Sequence, residues 1–306
     1  MRIGATVIIA CILLVFCAGC VSNEPVSPPE ATAEGLRTYV VSAAQYAREV
    51  EPATACAVFN DPQSPLISGD WYIYAYDYEG TLLAHPYERE LVGTNRINWT
   101  PANGLEVIRL GRDTAAKGGG DILYMYPRPV PGQEINESDA SMYRLKFGYV
   151  APVNNRWWIG SGLYFSDMEN GKIHEKIEEL VGLVDDAVDY AHTSGKSAAL
   201  SAFSSGSNRF SENGHYIFAL DYNGTLLAYR VDPGRVGESD LGVVRAYGVR
   251  SADASIEIAR SGGGFVVYSI KNPVTGDIEQ KLSYIRPVDD TWWLGSGIYL
   301  SELLSA

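Results

Sequence analysis

Tyr72-Ile-Tyr-Ala-Tyr-Asp-Tyr-Glu-Gly-Thr-Leu-Leu-Ala84 returns 144 residues later as Tyr216-Ile-Phe-Ala-Leu-Asp-Tyr-Asn-Gly-Thr-Leu-Leu-Ala228. The same displacement pairs Phe59 with Phe203, Gly93 with Gly237 and Gly118-Gly-Gly120 with Gly262-Gly-Gly264. Further on, Trp157-Trp-Ile-Gly-Ser-Gly-Leu-Tyr164 matches Trp292-Trp-Leu-Gly-Ser-Gly-Ile-Tyr299, now at a displacement of 135. The nine-residue change falls between Tyr126 and Lys146, where the first copy carries Pro127-Arg-Pro-Val-Pro-Gly132. Extra chain in a Pro/Gly-rich stretch predicts a surface loop, where added length costs least. The chain is an internal duplication.

Each copy spells out the same elements. Aromatic residues alternating with small apolar ones from Tyr72 to Tyr76 predict a strand. Asp77-Tyr-Glu-Gly80 and Asp221-Tyr-Asn-Gly224 predict hairpin turns with glycine at the positive-φ position, returning along Thr81–His85. Upstream, Leu36, Val40, Ala43, Ala47 and Val50 form one stripe of a helical period, as do Ile173, Ile177, Leu180, Val184, Val188 and Ala191 in the second copy. Ser166 and Glu169 have the spacing of a capping box at the start of that second helix. Pro52 and Gly195 predict a kink in each. A shorter helix over 104–117 and strands over 122–126, 142–150 and 157–164 complete the unit. The expected fold class is α+β: two tandem modules, residues 33–165 and 166–306, each an antiparallel five-stranded sheet with a long N-terminal helix on one face.

The 306 residues are 46% hydrophobic and 20% charged, with a formal charge of −13 and no basic run. That excludes a nucleic-acid or anionic-membrane surface, which needs clustered Lys and Arg. Residues 1–19 read as an export signal: Arg2, an apolar run, then Cys17-Ala18-Gly19-Cys20. Small residues before Cys20 resemble a lipobox, making Cys20 the expected lipidation site. An uncleaved anchor helix stays open beside it, since about 17 apolar residues is the lower end of the spanning range. Residues 20–32, rich in proline and polar residues, predict a flexible tether. Either reading expects the two modules outside the cytoplasm, held at the membrane only through this N-terminus. Cys56 stands alone in the body and is expected to be a buried small hydrophobe.

The ordered motifs resemble the Cache family of PAS-like extracytoplasmic sensor modules, in particular its smaller subtype, in tandem. The resemblance rests on Tyr72-Ile-Tyr with Asp77–Gly80, Leu83-Ala-His-Pro86 with Gly93, and Gly118-Gly-Gly120 with Tyr124. It continues through Lys146-Phe-Gly-Tyr149 and Trp158-Ile-Gly-Ser-Gly-Leu-Tyr164, recurs in Lys281-Leu-Ser-Tyr284 and Trp293–Tyr299, and covers residues 33–304. It implies a pocket on the sheet for a small organic ligand, often a carboxylate or amino acid. It also implies a membrane signalling or transport partner, because no second apolar span, kinase or methyl-accepting helix follows the second copy.

Strand alternation puts Ile73 and Ala75 under the helix and Tyr72, Tyr74 and Tyr76 on the other face. Tyr124 and Tyr126 share that side, and Tyr149 is counted with them. A carboxylate out of water needs a cation or several donors: Lys146 offers the charge and His85 a donor. The second copy changes His85-Pro86 to Tyr229-Arg230, Tyr74 to Phe218 and Tyr76 to Leu220. Its candidates are Tyr216, Tyr229, Arg230, Tyr268 and Lys281, and the first copy is the favoured binder. Trp158 and Trp293 are expected in the core, with Gly160 and Gly162 allowing strand and helix to approach. Gly118–Gly120 follows a helix instead of opening one, so it is not read as a phosphate loop. The four histidines lack metal-ligand spacing, and no catalytic arrangement, metal or cofactor is expected. A surface scaffold that binds no small ligand is the alternative function.

Overall fold

The computed structural model describes residues 29–101, 104–128, 142–169, 171–205, 210–211 and 215–305. The expected signal, Cys20, most of the tether and most of the Pro127–Lys146 insertion lie outside these residues. No described helix is long and apolar enough to cross a membrane.

The first unit opens with helix α1 (Ala33–Glu49), which buries the stripe Leu36, Val40, Ala43 and Ala47. The chain does not kink at Pro52 but breaks. Pro52 begins a separate helix, α2 (Pro52–Asn60), where its missing N–H costs nothing. Strands β1 (Tyr74–Asp77) and β2 (Leu82–Ala84) form the hairpin, and helix α3 (Val107–Ala116) follows. Strands β3 (Gly120–Pro127), β4 (Tyr143–Pro152) and β5 (Trp157–Tyr164) complete a sheet of order β2-β1-β5-β4-β3, antiparallel throughout. The hairpin turn is locked by Asp77, whose Oδ1 accepts from the Thr81 amide at 2.7 Å, and by Gly80 at φ +92°.

The second unit repeats this order. Helices α4 (Lys172–Ser194) and α5 (Lys196–Ser204) precede β6 (Phe218–Asp221) and β7 (Leu226–Tyr229); α6 (Ser251–Arg260), β8 (Gly264–Lys271), β9 (Ile278–Pro287) and β10 (Trp292–Tyr299) follow. Their order is β7-β6-β10-β9-β8, and a short helix α7 (Leu300–Leu304) ends the fold. Gly195, at φ +81°, separates α4 from α5 where Pro52 separates α1 from α2. The Ser166–Glu169 capping box is not realised. Ser166 lies in a 3-10 turn, its hydroxyl bonded to Asp167 and Arg128, and α4 starts only at Lys172 after Gly171.

In each unit the long helix covers one face of the sheet, and the shorter α3 or α6 covers the other with loop segments. The units meet along the β3 edge. The Gln280 carboxamide of β9 accepts from the Leu123 amide at 2.8 Å and donates to the Leu123 carbonyl at 2.7 Å. A side chain thus takes the role of a neighbouring strand and covers an edge that would otherwise expose its ladder groups. The Glu106 amide, just before α3, donates to the Tyr247 carbonyl at 3.0 Å, and Tyr247 adopts φ +58°. Gln280→Ala leaves both Leu123 groups without that partner. Hydrogen exchange at the Leu123 amide is expected to accelerate about tenfold or more, because an unpaired buried amide costs about 1–3 kcal/mol. Unchanged exchange there would show that the clamp is dispensable.

Candidate functional site

On the sheet face opposite α1, a cavity partly open to solvent lies between β1, β3, β5 and α3, with ≈ 440 Å³ of atom-free space when the open solvent at its mouth is included. Its floor is made of glycines. A Cβ on Gly160 would lie 2.5 Å from the Tyr74 hydroxyl, and one on Gly162 2.4 Å from the Tyr124 hydroxyl. On Gly148 it would meet the Tyr124 ring at 2.7 Å. The Gly-Ser-Gly motif therefore serves the cavity face, where two tyrosine rings lie across the strands, and not the approach of strand to helix. Trp158 also faces this side. It stacks on Tyr76 at 5.3 Å and meets α3 at Gly111, where a Cβ would sit 2.8 Å from the indole.

Tyr72, Tyr74, Tyr76, His85, Tyr124 and Tyr126 all line the cavity. His85 is buried by the turn that follows β2. Its Nδ1 accepts from the amides of Tyr87 (3.3 Å) and Glu88 (3.0 Å), which leaves the proton on Nε2. Burial, then the charges of Lys146 and Arg96, pull the imidazole down to about 3, so His85 is a neutral donor at physiological pH. Burial pushes the Tyr72, Tyr124 and Tyr126 hydroxyls up, so these too stay protonated.

Lys146 sits behind this lining and is 1% exposed. Register places it directly opposite Tyr124 on one side and Tyr164 on the other. Its Nζ lies 3.4 Å from the Tyr72 hydroxyl and 4.5–5.2 Å from the ring centres of Tyr164, Tyr72 and Tyr126. That is a cation–π cage, and no described carboxylate stands within ion-pairing distance of the ammonium. Burial, opposed by Asp70 and Glu88, brings its pKa down to about 8. Tyr149 belongs elsewhere. It is three residues from Lys146 along an extended strand and therefore on the α1 face. There it pairs with Asp121, whose carboxylate accepts from Arg37 of α1 at 2.9 Å.

Sequence reasoning missed Glu88, Arg96, Trp99 and the α3 residues Val107 and Ile108, all in the lining. Arg96 is carried over the sheet by a return of the chain beside β2. The Gly93 amide donates to Leu82 O at 2.8 Å, and the Arg96 amide to Gly80 O at 2.8 Å. Its guanidinium lies 4.9 Å from the Trp99 ring centre. Recurrence of Gly93 as Gly237 was the available signal for this turn.

The second unit has a cavity in the same place, with ≈ 530 Å³ of atom-free space when open solvent is included, lined by Tyr216, Tyr229, Tyr268, Lys281 and Trp293 among others. Lys281 is 2% exposed, 2.8 Å from the Tyr216 hydroxyl and 5.0 Å from the Tyr299 ring centre. Burial lowers its pKa, against Tyr268 and Glu302. Arg230 is not part of this lining; Arg235, Asp240 and Arg245 are. Cys56 is half-buried, not fully buried, and burial pushes its thiol up, away from the reactive thiolate. No group of metal-ligating side chains occurs among the described residues.

A family model described as Cache domain matches residues 64–303. The chain belongs to the Cache domain family. It is a double Cache chain, with one five-stranded sheet and one sheet-face cavity per module. A sensor histidine kinase, MctS of Rhizobium johnstonii, is 31% identical over 100 residues. Those residues are 32% of this chain, which spans 20% of that relative's length. Among solved structures, a methyl-accepting chemotaxis protein from Vibrio parahaemolyticus is 24% identical, covering 43% of this chain and 93% of its own, with a TM-score of 0.38. The ligand-binding domain of the amino acid chemoreceptor PctB from Pseudomonas aeruginosa, in complex with L-Arg, is 14% identical, covering 87% of both chains, with a TM-score of 0.26.

Gly160→Ala tests the glycine floor of the Cache cavity. The new methyl collides with a packed ring and is expected to destabilise the first module by about 1–3 kcal/mol. A thermal melt of Gly160→Ala with Tyr74→Ala should recover part of that loss, which strictly additive effects would rule out.

Proposed function

We propose that the chain is an extracytoplasmic, sensor-type binding protein for a small organic carboxylate or amino acid, held in the first Cache module. One observation carries the reading. Arg96, neutral His85 and the tyrosine hydroxyls converge on a single cavity backed by the caged Lys146 ammonium. Such a pocket suits an anionic head: Arg96 offers a charged donor, His85 an Nε2–H, and Lys146 a buried positive field. The aromatic walls of Tyr74, Tyr76, Trp99 and Trp158 accommodate a short carbon body. Glu88, whose Oε1 already accepts from the Tyr126 hydroxyl, is the acid in this lining toward which the ammonium of an amino acid would turn. Trp158 adds a buried indole N–H with no partner among the described residues, which an acceptor in the cavity would satisfy.

Export by the N-terminal signal, lipidation at Cys20 and a 20–32 tether belong to the same proposal, with the modules divided at 33–165 and 166–306. Ligand occupancy would pass to a membrane signalling or transport partner. Family membership supports the sensor reading. The kinase relative is matched over too little of its length to lend its enzymatic activity.

Two measurements test the binding site. Calorimetric titration of the full chain against carboxylate and amino acid panels should find a ligand whose affinity falls at least tenfold in Lys146→Met and in Arg96→Gln. Lys146 loses its proton as pH rises through about 8, and only its charged form attracts a carboxylate. Affinity is therefore expected to be level from pH 5.5 to 7.5 and to fall above pH 8 by up to about tenfold per unit. Lys146→Met should flatten that fall. A panel that finds no ligand would favour the scaffold function instead.

A further inference from the structure

The second cavity is not a worn copy of the first, because its charges have been rebuilt. Equivalent backbone bonds align the two loops: Arg96 N to Gly80 O at 2.8 Å, and Asp240 N to Gly224 O at 2.9 Å. One module thus places a guanidinium, and the other a carboxylate, at the same point above the sheet. Alone, Asp240 would repel an anion, but both of its oxygens are taken. Oδ1 accepts from Arg235 Nη2 at 2.5 Å and Oδ2 from Arg245 Nη2 at 2.8 Å. A displacement of 144 puts Leu91 and Pro101 at the corresponding places in the first module, so neither arginine has a counterpart there.

Asp240 acts as a bracket. It is 8% exposed and holds two arginine forks together at the cavity wall. The forks are also fixed from behind: Arg245 Nε donates to Ser251 Oγ at 3.2 Å, and Arg235 Nε to Glu238 Oε2 at 3.0 Å. Bracketed pairs of this kind suit bidentate carboxylate recognition, because little side-chain freedom remains to be lost on binding. Lys281 supplies a further cation from the sheet floor, with Glu302 the acid that acts on it. The lining of this cavity therefore carries Arg235, Arg245 and Lys281 against Asp240. The lining of the first balances Arg96 against Glu88. Phe218, Leu220, Ile270 and Trp293 share this lining and give it an apolar surface suited to a short carbon chain.

We propose that the second module is a separate binding site for a small dicarboxylate, one carboxylate gripped by Arg235 and Arg245 and the other drawn to Lys281. A compact anion such as phosphate, or a monocarboxylate, satisfies only one of these two poles. This inference goes beyond the first-module site and uses none of its residues.

Titration calorimetry on the full chain with succinate, propionate and inorganic phosphate tests it. Succinate is expected to bind at least tenfold more tightly than propionate or phosphate. Arg245→Gln and Lys281→Met should each weaken succinate at least tenfold, and Lys146→Met should leave it unchanged. Lys281→Met also removes a buried charge and could alter folding, so Arg235→Lys provides a milder variant. It keeps the charge but loses the fork, and should still weaken succinate severalfold with an unchanged circular dichroism spectrum. Succinate no tighter than propionate or phosphate would overturn the proposal. So would succinate binding that survives every second-module variant, or that disappears in Lys146→Met. Failure of the first-module reading shows instead as loss of the Lys146 and Arg96 effects with the succinate results intact.

Discussion

Each module is organised around a primary ammonium kept out of water. Removing a charge from solvent costs several kcal/mol unless something replaces its hydration. Lys146 and Lys281 have no described carboxylate in contact and are surrounded by tyrosine rings, whose faces carry partial negative charge. That requirement spreads outward. Beside the cage of the first module, the rings of Tyr74 and Tyr124 lie close to the sheet because glycines at 148, 160 and 162 leave the strands bare beneath them. Flat rings in turn leave room above for a cavity instead of a solid second layer. The short helix α3 and the turn after β2 close that space, bringing Arg96, Trp99 and Val107 to it.

The same frame has been given two chemistries. Tyr72, Tyr124, Lys146, Trp158 and Tyr164 recur as Tyr216, Tyr268, Lys281, Trp293 and Tyr299, while Tyr126 of the cage becomes Ile270 and Gly148 of the floor becomes Ser283. Change is concentrated in the loops over the cage, where backbone geometry is preserved by the same turn and amide bonds while side chains differ. A guanidinium at Arg96 and a carboxylate at Asp240 share one backbone position, and the arginine pair around Asp240 offsets its charge.

The modules are joined through strands and loops that also build the cavities. Leu123 precedes Tyr124 on β3, and Gln280 precedes Lys281 on β9, so the clamp between them borders a cavity-facing residue in both modules. Glu106, bonded to Tyr247, precedes Val107 of the first cavity, and Tyr247 follows the loop that carries Arg245 of the second. A displacement of β3 or α3 in one module would therefore be felt in the other's wall, a physical basis for coupling of the kind that contiguous packed elements provide.

By itself the sequence determined the duplication, the antiparallel strand set, the hairpin turns and the tyrosine face of β1. These follow from local rules: period-two alternation, helical spacing, and glycine where φ must be positive. It also singled out Lys146 and His85, because a lysine and a histidine among tyrosines on strand positions are conspicuous. Strand parity also put Tyr149 on the α1 face, because it stands an odd number of steps from Lys146 and one odd step reverses a side chain. Tertiary structure decided the rest. Pro52 and Gly195 broke their helices where a kink was expected, and the capping box at Ser166 went to Arg128 and Asp167 instead. Glu88, Arg96, Asp240 and Arg245 carried no periodic signal, since loop residues have none. They reach the cavities only because amide bonds to distant strands fold their loops back over the sheet, and no spacing along the chain records that closure.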